Sequence, residues 1–458
     1  MPRRYLFLLI LPVAVSATLL ASQNPPAQPP ATPPAQQNEV QLVINSGTGS
    51  PPKYAVPDFL ALSGDAETRA AAKTIAQVLW DDLDFEREFY MVPRDTYGAI
   101  PAARSVTDVP FDRWRELGAE GLVIGTVQKE GSGLKIQVRL FNVSSQQAVF
   151  SREYTGSAGN PRAYAHTTAD EIHQQQRALR GIARTKLTFS SDRDREKVVN
   201  TVENRDVKEI YIADYDGANQ RRITVNRALN ITPTWAPDGR SIAYTSYARG
   251  FPTLFISFIY EGRRDEPTRG STQNWLPSWS PDGSKIAFSS NRDGNTELYV
   301  MNRDGGGMRR LTNHPSIDTT PTWSPTGVQI AFTSDRSGGP AIYTVGSDGL
   351  NLRRVSRVQD GYCDRPTWSP APFNELAFVC RTGPGYDIKI FDFATDETRQ
   401  ITFGEGSNES PAYSSNGRHI AFTSTRAGKV QVFTVGRDGK NVRQVTRVGS
   451  NFTPDWSH

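Results

Sequence analysis

Two spacings of apolar residues divide the chain. From Asp65 to Leu83 the apolar positions fall three and four apart. Ala71, Ile75 and Leu79 form one stripe, widened by Ala76, Trp80 and Leu83, which predicts an amphipathic helix with Asp65 as its cap. Glu39–Ile44, by contrast, alternates, as a half-buried strand does, and Lys53–Leu60 is a second candidate strand. Gly121–Val127, the alternating run around Ile136, Val138 and Leu140, and Gln147–Tyr154 are three more, two of them joined through Gly131-Ser132-Gly133. Pro161–Leu179 predicts a closing helix. This order predicts a small α/β domain over residues 39–180, with a mixed sheet and helices.

Beyond it the alternation becomes periodic. PTWAPDGRSIAYTS starts at 233, PSWSPDGSKIAFSS at 277, PTWSPTGVQIAFTS at 321, PTWSPAPFNELAFVC at 366 and PAYSSNGRHIAFTS at 411. The aromatic anchors Trp235, Trp279, Trp323, Trp368, Tyr413 and Trp456 stand 44, 44, 45, 45 and 43 residues apart. A period of about 40–45 residues with short strands and turn signals is that of propeller blades. Each unit predicts four strands. The first carries the anchor, Pro-Asp-Gly makes the hairpin, and a nearly all-apolar second strand such as Ile286-Ala287-Phe288 lies buried between blades. Six anchors predict six blades over residues 186–458. Leu187–Arg193 is a second strand lacking a first, and Pro454–His458 is a first strand lacking the rest, so the two should complete one blade and close the ring.

The ends and the cysteines add to this. Arg3 and Arg4 precede an apolar run from Tyr5 to Leu20, which predicts a signal peptide over residues 1–23, hence a chain that spans no membrane after cleavage. Residues 24–38, PPAQPPATPPAQQ at their centre, form an uncharged proline-rich linker. In an antiparallel pair turning around Pro370–Asn374, residues whose numbers sum to about 744 face each other. Cys363 and Cys380 qualify, which predicts a disulfide in an oxidising compartment.

Composition then narrows the function. The 458 residues carry 52 Lys and Arg against 48 Asp and Glu. A net charge of +4 offers no field for nucleic acid. Two Cys and five His assemble no usual zinc spacing, so no metal and no cofactor are expected. No GxSxG, HExxH or nucleotide-binding glycine loop occurs, and an extra hydrolase domain would need about 200 further residues. An enzyme is therefore not expected. The aspartates Asp238, Asp282, Asp304 and Asp348 are expected to form turns, and His166 and His173 to be ordinary polar residues of the closing helix.

With these residues in place, a resemblance emerges. The repeat PxWSPDGxxIAFxSxR…IYxxxxDG…RLT is similar to the propeller of the TolB family. Arg162–Ile172 (RAYAHTTADEI) resembles the closing helix of that family's N-terminal domain, and Leu117–Gly125 (LGAEGLVIG) its strand region. The resemblance implies a periplasmic, non-enzymatic, monomeric adaptor of the Tol-Pal system. Its implied partner is a Pal-like peptidoglycan-associated lipoprotein, with TolA and other outer-membrane proteins as further partners. The implied role couples the two membranes for envelope integrity and cell division. A secreted propeller that binds a small ligand or glycan in its channel is the alternative. Independently of the resemblance, loops running from each fourth strand to the next first strand converge at one mouth of a propeller. They differ between units while the strands repeat, as a site grafted on a scaffold does. Gln273, Asn274, Trp275, His314, Asp318, Thr319, Tyr362 and Phe452 are the expected partner-binding residues.

Overall fold

The computed structural model describes residues 49–197 and 206–458. The expected signal peptide, proline-rich linker and strand Glu39–Ile44 lie outside these residues. No helix among the described residues is long and apolar enough to cross a membrane.

The smaller part is a mixed sheet with helices. Its elements are β1 (Lys53–Ala55), β2 (Leu60–Ala61), α1 (Ala66–Glu86), β3 (Tyr90–Met91), α2 (Phe111–Glu116), β4 (Gly121–Glu130), β5 (Gly133–Asn142), β6 (Ala148–Ser157) and α3 (Pro161–Arg177). The strand order is β3-β1-β4-β5-β6, with β2 also on β4. β1 and β2 run parallel to β4, whereas β4, β5 and β6 form an antiparallel meander. The single expected strand Lys53–Leu60 is two short ones, since Pro57 has no N–H to give to a ladder. Asp65 caps α1, its Oδ1 accepting from the Thr68 amide at 2.9 Å. That helix runs three residues past Leu83 because its last turn gains partners from the propeller, described below.

Six four-stranded sheets follow. Five are consecutive in sequence, and the sixth is built from both ends of the repeat region. Asn451–Trp456 pairs antiparallel with Lys186–Ser191, which continues to Glu209–Asp214 and Arg221–Arg222. The ring closes as expected, and Trp456, 1% exposed, donates its indole N–H to Thr185 at 2.7 Å.

The second strands carry the inter-blade packing. Phe189, Phe288, Phe332, Phe378 and Phe422 are fully buried at equivalent positions. Burial of each such ring contributes roughly 2–3 kcal/mol. At the entrance of the first strand a polar clasp repeats. The Asn274 Oδ1 accepts from Arg292 at 2.7 Å, Asn408 from Arg426 at 3.0 Å and Asn451 from Arg193 at 2.8 Å, and Asp318 pairs with Arg336 at 2.7 Å. In the sheet Cys363–Gln400 the same register position holds Cys363 opposite Cys380, and the two sulfurs are bonded. A covalent clasp thus stands where its neighbours use an amide or carboxylate on an arginine.

Candidate functional site

Each first strand carries a proline one residue past a residue in the left-handed region. Thr232, Leu276, Thr320, Arg365, Ser410 and Thr453 have φ between 47° and 58°. None is glycine, so each position is strained, and each ladder shifts register there. The bulge turns the prolines, Pro233 to Pro454, into the ring's centre, where they line a channel of about 140 Å³. Its ionisable lining residues are Arg365 and Asp455. Burial pushes the Asp455 carboxyl up to about 6, against the pull of the Trp235 amide, which donates to it at 2.7 Å.

The two ends of this channel differ. In an antiparallel meander, the hairpins between first and second strands and between third and fourth strands share one face. The smaller domain is packed on that face. Asn416, in a first hairpin, donates to Glu86 of α1 at 2.9 Å, and the Glu86 carboxylate lies 3.2 Å from His419 Nε2. Tyr215, in a second-type hairpin, donates its hydroxyl to Asp82 at 2.7 Å. Phe85 stacks edge-on against Tyr215 and tilted against His419. Arg443 reaches Asp84 at 2.7 Å, and Arg87 reaches Asp438 at 3.1 Å. These contacts explain the longer α1.

At the centre of that interface sits His166 of α3, 3% exposed. Its Nδ1 lies 2.8 Å from Asp82 and its Nε2 3.6 Å from Asp214, which is also bound by Lys186 and Arg162. Burial alone would lower its proton affinity, but Asp214 and Asp82 together push it up to about 9. Burial opposes ionisation of Asp214 too, yet His166 and Lys186 hold that carboxyl below its ordinary range. His173, 1% exposed, places its Nδ1 2.9 Å from the Ala169 carbonyl, and burial lowers its proton affinity. The expectation of ordinary polar helix residues is thereby corrected for both histidines. His166 is covered by α1 and the propeller, and His173 packs against Phe89, which the helix period could not reveal.

The opposite face, carrying the loops from fourth to first strands, bears none of these interdomain contacts. There the structure places an apolar crown. Val225, Ile317, Val358, Phe403 and Val448 are each at least half exposed, and Tyr362 is 39% exposed. All six stand in those loops. Of the expected partner-binding residues, Gln273 and Tyr362 are exposed, and Trp275, His314, Thr319 and Phe452 are half-buried around the mouth. Tyr362 stacks edge-on with Tyr386, and Lys208 lies over the Phe452 ring at 3.6 Å. Asn274 and Asp318 do not belong to this surface. They are at most 1% exposed and form the arginine clasps described above, so a partner cannot reach them. The crown valines and Phe403 were missed. A signal was present: each follows the Thr or Ser that ends a fourth strand by one or two residues, except Ile317, where an apolar side chain has no strand face to bury it.

The aspartates Asp238, Asp282, Asp304 and Asp348 form turns, each accepting from the backbone amide two residues on at 2.8–3.1 Å. No group of three or more His, Cys, Asp or Glu side chains among the described residues could hold a metal ion.

Comparison with known proteins agrees with this architecture. A family model described as TolB beta propeller domain matches residues 178–371 and 358–458, and one described as TolB amino-terminal domain matches residues 40–149. The Tol-Pal system protein TolB of Desulfosudis oleivorans is 34% identical over 211 residues, 46% of each chain. That of Cereibacter sphaeroides is 31% identical over 268 residues, 57% of this chain and 56% of the relative. The chain thus spans about half the length of the curated relatives it matches. The crystal structure of TolB from Acinetobacter baumannii superimposes with a TM-score of 0.75 over 89% of this chain and 96% of that one, at 24% identity, a likeness of fold.

Proposed function

Because this chain belongs to the TolB family, and so to a component type of the Tol-Pal system, we propose that it is a non-enzymatic periplasmic adaptor whose open propeller mouth grips a Pal-like peptidoglycan-associated lipoprotein. In this reading TolA and other outer-membrane proteins are further partners, and the coupling of the two membranes serves envelope integrity and cell division. The apolar crown carries the proposal. Five large apolar side chains at least half exposed stand in loops of the face free of the smaller domain, against three, Tyr260, Val328 and Leu350, in hairpins of the other face. Exposed apolar side chains interspersed with polar groups such as Gln273 and His314 are the composition of a protein interface. The adaptor acts by presenting that rim, while the strained first strands hold the loops in place.

The channel supports the alternative less well. At about 140 Å³ it is less than half the ~300 Å³ at which small-molecule pockets begin.

The test is capture of the soluble domain of a Pal-like lipoprotein by the full chain. Val358→Asp with Phe403→Asp should weaken capture by at least about a hundredfold, since each places a charge on apolar surface that the bound partner would desolvate. Unchanged capture by this variant would remove the crown from the interface.

A further inference from the structure

Internal symmetry exposes one groove that departs from the repeat. Five blades carry a buried phenylalanine at the middle of the second strand, and the blade beginning at Asn230 has Tyr244 there. On the third strand the positions facing the isoleucine or leucine of the second strand are Ala213, Met301, Val345, Phe391 and Val435, and this blade has Ser257. Four residues before the Thr or Ser that ends the fourth strand stand Gln220, Met308, Leu352, Thr398 and Val442, and this blade has Arg264 before Thr268. Tyr244 and Ser257 place hydroxyls where the other blades have apolar side chains, Arg264 places a charge where the others have none, and all three line one cavity of about 630 Å³ between this blade and the closing one.

The chemistry of the cavity is directional. Tyr244 is fully buried and Ser257 nearly so. The Ser257 hydroxyl donates to the Tyr244 hydroxyl at 3.3 Å, and the phenol proton has no acceptor among the described residues. Arg264 lies over the Phe255 ring at 5.0 Å. The other arginines of the groove differ in how they are used. Arg222 is bound by Asp194, Glu196 and Glu209, and Arg263 by Glu261 and Asp265. Arg264 and Arg221 pair with no carboxylate among the described residues. A phenol donor and a stacked guanidinium fork offer donors for two oxygens of one anionic group. Ile223, Phe258 and Ile259 supply an apolar wall beside them.

We propose that this groove binds a small organic carboxylate, its two oxygens held by Arg264 and the Tyr244 hydroxyl and its ring or chain lying on Ile223, Phe258 and Ile259. Arg264 and the Tyr244 hydroxyl match the two oxygens of a monoanionic carboxylate, whereas a phosphate dianion presents more acceptors than these two groups serve. A buried tyrosine and serine where neighbouring blades pack apolar groups weaken the inter-blade core, and a ligand site is a reason for them to be there.

The experiment titrates benzoate into the full chain by calorimetry, with benzamide and inorganic phosphate alongside. The variants Tyr244→Phe, Ser257→Val and Arg264→Met each install a residue type that another blade already carries, so their folding is expected and is checked by circular dichroism. Saturable benzoate binding is expected, weakened at least about tenfold in the triple variant and at least about tenfold weaker for benzamide, which lacks the charge. Absence of saturation in the unaltered chain, equal binding in a folded triple variant, or binding of benzamide or phosphate as tight as that of benzoate would each overturn the proposal.

Discussion

The interdomain histidine makes a measurable claim about pH. His166 holds its proton between Asp82 and Asp214, with an affinity raised from 6.5 to about 9. A folded-state value above the unfolded one means that the native protein binds the proton more tightly. The resulting stability is complete below about pH 6.5 and is lost as pH rises through about 9. Moving one proton affinity over that range corresponds to about 3 kcal/mol. This is an upper figure, because the imidazole is coupled to the Asp82 carboxyl, whose own proton affinity burial raises. The perturbation is His166→Gln, which keeps a polar group near Asp82 and removes the charge. Urea unfolding would be followed from pH 6 to pH 10, and hydrogen exchange of α3 at each end of that range. The unaltered protein should lose about 2–3 kcal/mol between pH 6.5 and 9.5, with α3 protection falling along with it. The variant should start lower by a similar amount and vary little over the same interval. A parallel pH dependence in the two proteins would refute the claim that this imidazolium joins the two parts.

Other consequences follow from the same geometry. Asp318→Ala leaves the largely buried Arg336 without its carboxylate and should cost about 3–5 kcal/mol, read as a lowered denaturation midpoint, while capture by the folded fraction stays unchanged. Phe403→Asp alone should leave stability within about 0.5 kcal/mol, since the ring is 73% exposed, and still reduce capture of a Pal-like lipoprotein in a pull-down. Replacing Cys363 and Cys380 together by serine opens a loop of sequence separation 17 and should cost about 3 kcal/mol in thermal unfolding. In the intact chain, a mass gain of two hydrogens on reduction would report the same bond.

Much of this architecture was legible in the order of residues because its information is local and repeated. The hairpins need only Pro-Asp-Gly at a fixed place, and the inter-blade strands need only an apolar run. Six copies at a constant period count the blades, and the two fragments Leu187–Arg193 and Pro454–His458 name their own partner. The cap of α1 at Asp65 is local in the same way. The mouth was legible as a set of loops, since topology alone gathers them, but its membership was not. Asn274 and Asp318 sit among polar loop residues, and nothing in their neighbourhood reveals that an arginine 18 residues on turns inward to clasp them. The crown was hidden for the opposite reason. A valine after a strand reads as packing until the loop is seen to lift it away from every surface.

The domain interface lay furthest out of reach. Asp82 and His166 are 84 residues apart, and Glu86 and His419 are 333 apart. Burial and charge pairing are properties of surfaces brought together, not of segments. A helix period states which residues share a face without stating what covers it. The blades, their number and the closure of the ring follow from local pattern multiplied by repetition. Which face of that ring is occupied, which is left open, and which histidine carries a charge were settled only when distant surfaces met and excluded water.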